Sequence, residues 1–287
     1  MLGARIVRMH DVAESVDAMR MVEATLGWRT PRGIEAQHVN VLPPSIADLS
    51  DDDLLDLYTA DAGAPWLRVN FVATLDGSAS AAGVSGSLGG DDDLRVFDLL
   101  RRVADVVLVA AGTVRDEGYG PMVLHDADVA WRRAHGKPDH PVFAIVTGSL
   151  SLDPGSRVFT EAPVRPIVLT SATAAASSKA QTLAEVADVV PCSADDEPDS
   201  VDAGRIRGVL ADRGLGMIHC EGGPSFLGAL IAADAVDELT LTIDPSLEGG
   251  EGQRIARGSS PELRRMRPAH VLLGAGGVLL TRYVRAR

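Results

Sequence analysis

Cysteine, basic charge and long apolar runs are all scarce in this chain. Cys192 and Cys220 are the only two cysteines among 287 residues, and neither sits in a metal-ligand spacing. A disulfide framework and a cysteine-built zinc site are therefore not expected, and a reducing cytoplasm is the compartment that fits. Lys and Arg number 27 against 40 Asp and Glu, for a formal charge of −13. Nucleic acids and anionic membranes need basic surface, so neither is expected as a partner. No segment approaches the apolar length of a membrane span and no apolar leader opens the chain, so neither insertion nor secretion is expected. Seven histidines lie scattered without a pair at ligand spacing, which leaves a catalytic metal unsupported. The nucleophile elbow G-x-S-x-G, the H-E-x-x-H helix and the P-loop are missing too.

An apolar content of 46% is enough for one large core. The stretch 66–120 organises it. Residues 67–75 mix β-branched and large apolar side chains, read as a strand and stop at the turn dipeptide Asp76-Gly77. After a loop of small side chains, Asp91-Asp92-Asp93 opens a helix whose apolar positions Leu94, Phe97, Leu100 and Val103 recur at helical spacing. An unbroken apolar run at 106–111, as for a strand covered on both faces, then delivers Gly112-Thr113 to another helix start. Further strands are expected at 142–147, 166–170, 188–191, 217–220, 238–244, 270–274 and 278–285, with helices at 126–136, 171–186, 201–213 and 226–233. Crossover helices followed by a strand-rich end mean an α/β fold in which antiparallel strands extend a parallel sheet. Residues 66–287 are expected to form one domain, and 1–65 an N-terminal extension with short helices. One of these runs over 11–26; the other follows Ser50 and Asp53, a capping-box variant.

Three strand-end loops carry the chemistry. In Glu221-Gly222-Gly223-Pro224-Ser225, two glycines admit a close approach of backbone or phosphate, Pro224 suits a first helical turn, and N–H groups face outwards. From the residues alone, a tight turn without ligand fits equally well. Gly112-Thr113-Val114-Arg115 places a cation one turn inside a helix, as a phosphate ligand or a surface salt-bridge partner. Thr147-Gly148-Ser149 is the third loop. Gly274-Ala275-Gly276-Gly277 looks like part of a dinucleotide fingerprint but lies between two late strands, and reads as a hairpin turn. The acids within this frame are Asp76, Asp93, Glu117 and Glu221; at least one should face a ligand, and an aspartate at 91–93 can equally serve as a helix cap.

The segments RVNFVATLDGSASAAGVSG, ADVVLVAAGTVRDEGYG and MIHCEGGPSFLGALIAADAVDELTLTIDPSLEGG, in this order and spacing, resemble the reductase part of the bifunctional riboflavin-biosynthesis deaminase–reductase family. The likeness spans about residues 66–285; the zinc motifs of the family's deaminase half are not matched. It implies a dihydrofolate-reductase-like three-layer fold, with a mixed, mainly parallel central sheet flanked by helices and a β-rich C-terminal end. It also implies a homodimer, NADPH as cofactor, and reduction of 5-amino-6-(5-phosphoribosylamino)uracil to its ribitylamino form by hydride transfer. Carried over by position, Thr74, Gly112, Thr113, Arg115, Thr147, Ser149, Gly222, Gly223, Pro224 and Ser225 would meet the cofactor, Arg115 and Ser149 at its 2′-phosphate. Asn70, Asp76, Ser85, Asp93 and Glu117 would meet the substrate, and water or one of Asp76, Asp93 and Glu221 would provide the proton.

The chain departs from the family pattern where Asn70 stands for a lysine, Ser87 for a tryptophan and Glu117-Gly118-Tyr119 for Asp-Asp-Pro, and an arginine expected after Tyr119 is missing. Two alternatives follow from those departures. One is a dihydrofolate or pterin reductase in which Asp93 grips an amidine-like N–C–N edge. The other is a non-catalytic NADP(H)-binding protein.

Overall fold

Nine strands make up the described sheet: β1 (Trp66–Thr74), β2 (Val106–Ala110), β3 (Val142–Val146), β4 (Ile167–Thr170), β5 (Asp188–Pro191), β6 (Met217–Cys220), β7 (Glu238–Asp244), β8 (Met266–Leu273) and β9 (Leu279–Arg285). Their spatial order is β5-β4-β3-β2-β6-β1-β7-β9-β8. All neighbours pair in parallel except β9, which runs antiparallel to both β7 and β8. This is the mixed, mainly parallel sheet with an antiparallel end that the sequence implies. The computed structural model describes residues 42–59, 63, 65–80, 86–258 and 261–286; the expected helix at 11–26 lies outside them.

Strand β2 shows why the continuous apolar runs become central strands. Val106, Val107, Leu108 and Val109 are all fully buried. Val106 and Leu108 enter one core with Ile206 and Leu210 of α8 (Ala203–Ala211) and Leu227 and Leu230 of α9 (Pro224–Ala232). Val107 and Val109 point the other way, towards Phe143, Ile145 and Leu183. Side chains that alternate across a strand covered on both faces must all be apolar.

The remaining helices are α1 (Asp51–Thr59), α2 (Gly90–Val103), α3 (Ala111–Asp116), α4 (Asp126–Ala134), α5 (Arg157–Thr160), α6 (Ala172–Ala175) and α7 (Ser178–Leu183). The single helix expected over 171–186 is two short ones, because Ser177 caps the second as Ser171 caps the first. The turn of helix at α5 has no counterpart among the expected elements. Helix α1 begins at the expected capping box: Asp53 N–H donates to Ser50 Oγ at 3.2 Å and Ser50 N–H donates to Asp53 Oδ2 at 2.9 Å. Ile46, Leu54, Leu55 and Tyr58 share a core with Leu99 and Leu100 of α2 and Leu272 and Leu280 of β8 and β9.

The chain runs outwards from β2 through β5, whereas β1 and β7 lie on the opposite side of β6. At such a reversal the carboxyl ends of parallel strands leave a crevice, which is where ligands bind in open α/β sheets. The loops after β1, β2, β6 and β7 all open onto it.

Candidate active site

The crevice holds a cavity of about 480 Å³, within the range of small-molecule sites. Strand β1 supplies Asn70 and Val72, α2 supplies Asp93, Leu94, Phe97 and Arg101, and the β2 side supplies Thr113, Glu117 and Tyr119. The turn after β6 adds Glu221, Gly223 and Pro224, and Gln253 reaches in from the loop after β7. The apolar positions that mark α2 in the sequence do not all face inward. Leu94 and Phe97 share the helical spacing of a core stripe, yet Leu94 is 54% exposed and both line the cavity. The inward stripe of α2 is Val96, Leu99, Leu100 and Val103. Asp93, Phe97 and Arg101 recur every four residues on the cavity side, a signal that could have found Arg101.

Glu221 is an anchor. Arg101 donates from Nε and Nη2 to its two oxygens at 2.6 and 2.8 Å, and Tyr119 donates its hydroxyl at 2.7 Å. The Arg101 guanidinium also lies 4.2 Å from the Phe97 ring centroid. Burial would raise the Glu221 carboxyl, but the Arg101 charge and hydrogen bonds outweigh it and hold the group at about 2. A carboxylate so held has no proton to give at neutral pH, which corrects its assignment as a proton donor. Its bridge to Arg101 instead ties α2 to the glycine turn.

Asp76 is corrected as well. It lies outside the cavity lining. Its carboxylate accepts from the Thr74 hydroxyl and from the N–H groups of Glu248 and Gly249, at 3.2 and 2.7 Å for the latter two. The Thr74 bond and then these N–H groups lower its pKa to about 2. Thr74 is likewise spent on this turn, accepting from Ser78 N–H at 3.0 Å as it donates to Asp76. The pair clamps the loop after β7. Asp93, in contrast, lines the cavity, and burial raises its carboxyl above the usual range. Ser85 lies outside the described residues.

On the other flank, Gly222 has φ +93 and Gly223 packs so close to α3 that an added Cβ would overlap Thr113 Oγ1. The Gly222–Gly223 peptide is cis. Nothing stands within 4 Å of a Cβ built on Gly112. The opening N–H groups of α9, begun by Pro224, have no partner within their own helix. Arg115 is exposed and donates to Ser151 O at 3.1 Å, beside the exposed Ser149. Thr147 Oγ1 accepts from Leu150 N–H at 3.1 Å within the same turn. Ser225 is exposed and, like Gly222, outside the lining. Open space at Gly112, glycine backbone at 222–223 and a cation with hydroxyls at the β3 end form a donor set that fits a phosphorylated dinucleotide.

The loop after β7 approaches α9 through Gly228. Arg257 N–H donates to Pro224 O at 2.9 Å, and a Cβ on Gly228 would fall on the Arg257 carbonyl. Gly→Ala in a helix interior ordinarily stabilises by about 1 kcal/mol. Here Gly228→Ala is expected to do the opposite, lowering Tm by overpacking of about 1–3 kcal/mol and withdrawing Gln253 from the cavity. A melting curve that moves upwards would show that the loop does not pack there.

Comparison with known proteins follows the same outline. The pattern of the RibD C-terminal domain matches residues 65–280. The 2,5-diamino-6-ribosylamino-4(3H)-pyrimidinone 5′-phosphate reductase of Methanothermobacter thermautotrophicus is 27% identical over 190 residues, covering 66% of this chain and 82% of its own length. The enzyme of the same name from Archaeoglobus fulgidus is 26% identical over 188 residues, covering 65% and 83%. The crystal structure of a pyrimidine reductase-like protein from Corynebacterium diphtheriae shares the fold at a TM-score of 0.70 and 27% identity, over 81% of this chain and 95% of its own. The match runs from the start of β1 into β9, through every loop that builds the cavity, and on that extent the chain belongs to the RibD C-terminal domain family.

Proposed function

We propose that the protein is an NADPH-dependent reductase of riboflavin biosynthesis that converts the ribosylamino group of an aminopyrimidine 5′-phosphate to ribitylamino. The observation that carries this reading is one cavity lined by Asn70 and Asp93 on one side and by Thr113, Glu221 and Gly223 on the other. Both curated relatives are named as reductases of such a pyrimidine phosphate.

NADPH, when bound, supplies the hydride that reaches the C1′ carbon of the ring-opened C=N form. The chain's own part is positioning and exclusion of water. The glycine turn and the start of α3 would hold the dinucleotide, with Arg115 and Ser149 at its 2′-phosphate. Leu94 and Phe97 form an apolar wall against which a heteroaromatic ring can lie. The Thr240 hydroxyl donates to Asn70 Oδ1 at 2.6 Å, which leaves the amide NH2 for a ligand. With Asp76 and Glu221 held ionised, the proton comes from water or Asp93. A homodimer in the cytoplasm completes the proposal, and sedimentation of the purified protein checks the assembly.

The decisive experiment is NADPH oxidation, corrected for enzyme-free controls, with the ribosylaminopyrimidine phosphates and with dihydrofolate in parallel. Turnover of dihydrofolate alone would move the assignment to the pterin alternative; cofactor binding without any turnover would support the non-catalytic one. Arg115→Ala should narrow the preference for NADPH over NADH by about tenfold, the loss expected for one charge-assisted hydrogen bond. An unchanged ratio removes Arg115 from the 2′-phosphate.

A further inference from the structure

We infer that His219 is a positioning residue of the reductase site, setting the Glu221 carboxylate from beneath the cavity so that Arg101 and the glycine turn keep their places. This rests on the reductase reading above and adds to it a side chain that lies behind the cavity lining rather than in it.

Strand β6 carries His219 between Arg68 of β1 and Val107 of β2, its register partners. The ring is 1% exposed and stands edge-on to Phe97 of α2, with centroids 6.0 Å apart. Its Nε2 lies 3.4 Å from Glu221 Oε1, the oxygen that also accepts from Arg101 Nε. Oε2 accepts from Arg101 Nη2 and from the Tyr119 hydroxyl. Each Glu221 oxygen thus faces one arginine nitrogen and one further polar group, and His219 is that group at Oε1. Burial, joined by the Arg68 and Arg101 charges, lowers the histidine pKa against the opposing pull of Glu221, so the ring is neutral at pH 7. Nε2 faces the carboxylate, and the proton is assigned to it.

The fold alone does not call for a histidine at this point. Neither ring nitrogen completes a hydrogen bond among the described residues, the Nε2 contact being electrostatic, and an interior polar group in that state costs stability. Next to Val107 and Phe97 an apolar side chain of similar size would pack as well. Arg68, on the other side, spends its charge on Glu238. What the imidazole adds is a dipole aimed at a charged oxygen that is itself buried, where such a dipole acts strongly. Glu221 holds Arg101 of α2 and directly precedes the Gly222–Gly223 turn. A lateral contact at Oε1 opposes rotation of the carboxylate, and that rotation would shift the cofactor flank and the α2 flank together.

The test compares His219→Leu and His219→Gln with wild type by Tm of the protein alone, Kd for NADPH from fluorescence titration, and kcat/KM for NADPH oxidation with the pyrimidine phosphates. His219→Leu should hold or raise Tm, because it removes buried polar atoms that lack partners. Its kcat/KM should nonetheless fall about threefold to tenfold, the range of one hydrogen bond, and its Kd for NADPH should rise. Glutamine can place an amide N–H where Nε2 stands, so His219→Gln should restore both affinity and turnover. A purely structural histidine gives the opposite pattern, with Tm falling in His219→Leu and no rescue by glutamine. Unchanged Kd and kcat/KM in His219→Leu, activity lost in step with Tm, or failure of that variant to accumulate overturns the inference and leaves the reductase reading standing. Wild type that binds NADPH without oxidising it overturns the reductase reading, and Tm and Kd then still decide on His219. Wild type that does neither overturns both.

Discussion

Glu238→Ala is expected to leave little folded protein and, in what survives, to lower Tm by about 10 °C or more. Glu238 is fully buried at the start of β7 between Arg68 of β1 and Arg282 of β9, each 1% exposed. Arg68 Nε donates to Oε1 at 2.5 Å, Arg282 Nη2 to Oε2 at 3.0 Å and the Trp66 indole to Oε2 at 2.8 Å. Burial would raise the Glu238 carboxyl, yet the Arg68 and Arg282 charges leave it lowered. The same arginines donate to the carbonyls of Tyr58 and Leu57, satisfying the last turn of α1. Removing the carboxylate strands two guanidiniums in the interior, and breaking a buried pair this way costs about 3–5 kcal/mol, a large part of a typical stability of about 5–15 kcal/mol. At roughly 2–4 °C per kcal/mol for a chain of this size, the shift is large enough to read by calorimetry or far-UV melting. A Tm within about 2 °C of wild type would show that the cluster contributes little. The cavity lies beyond the cluster, towards the carboxyl end of β1, so residual soluble variant should retain KM even where yield collapses.

The strands were legible because β4, β5, β6 and their neighbours are short apolar runs bounded by turn residues. Strands β5, β6 and β7 begin and end where the sequence puts them. The alanine-rich segment after Ser171 was not, since alanine carries no stripe to separate one helix from two and the Ser177 cap decides locally. Periodicity does not separate Leu94 and Phe97 from the inward residues of α2, because an apolar cavity wall and an apolar core face follow the same rule. The glycine turn at 221–223 announces itself through residue type. What each acid does cannot be read there: the partners of Glu221 and Asp76 stand 120 and 172–173 residues away along the chain. Two of the four candidate acids, Asp76 and Glu221, are fixed anchors, and only the fold brings Arg101 and the 248–249 backbone to them.

Arg101→Ala should cost both stability and catalysis, with a pH signature that separates it from an ordinary surface change. The Arg101 guanidinium is partly exposed, whereas the Glu221 side chain it serves is 2% exposed, so the truncation leaves a buried charge. In the folded wild type Glu221 titrates at about 2, against the usual 4.5. Its ionisation therefore favours the fold above about pH 4.5, by about 3 kcal/mol for a shift of this size, and that contribution drains away as pH falls towards 2. Without Arg101, burial is opposed only by the Tyr119 hydroxyl and by His219, and the folded-state pKa of Glu221 rises from its wild-type level. The wild-type gain shrinks, and the variant falls further behind as pH rises through the range where the wild type gains stability. Urea melts at pH 4 and pH 7 should show a gap between the two proteins that widens with pH; a constant gap would mean that Glu221 is not left uncompensated. Arg101→Lys should recover part of the charge but not the bidentate geometry, and fall between them. Because the pair joins the Asp93 helix to the Gly222–Gly223 turn, a displaced Glu221 loosens both flanks of the cavity together. The expected result is a fall in kcat/KM of at least about tenfold, since a loss of 1.4 kcal/mol in transition-state positioning already gives that factor.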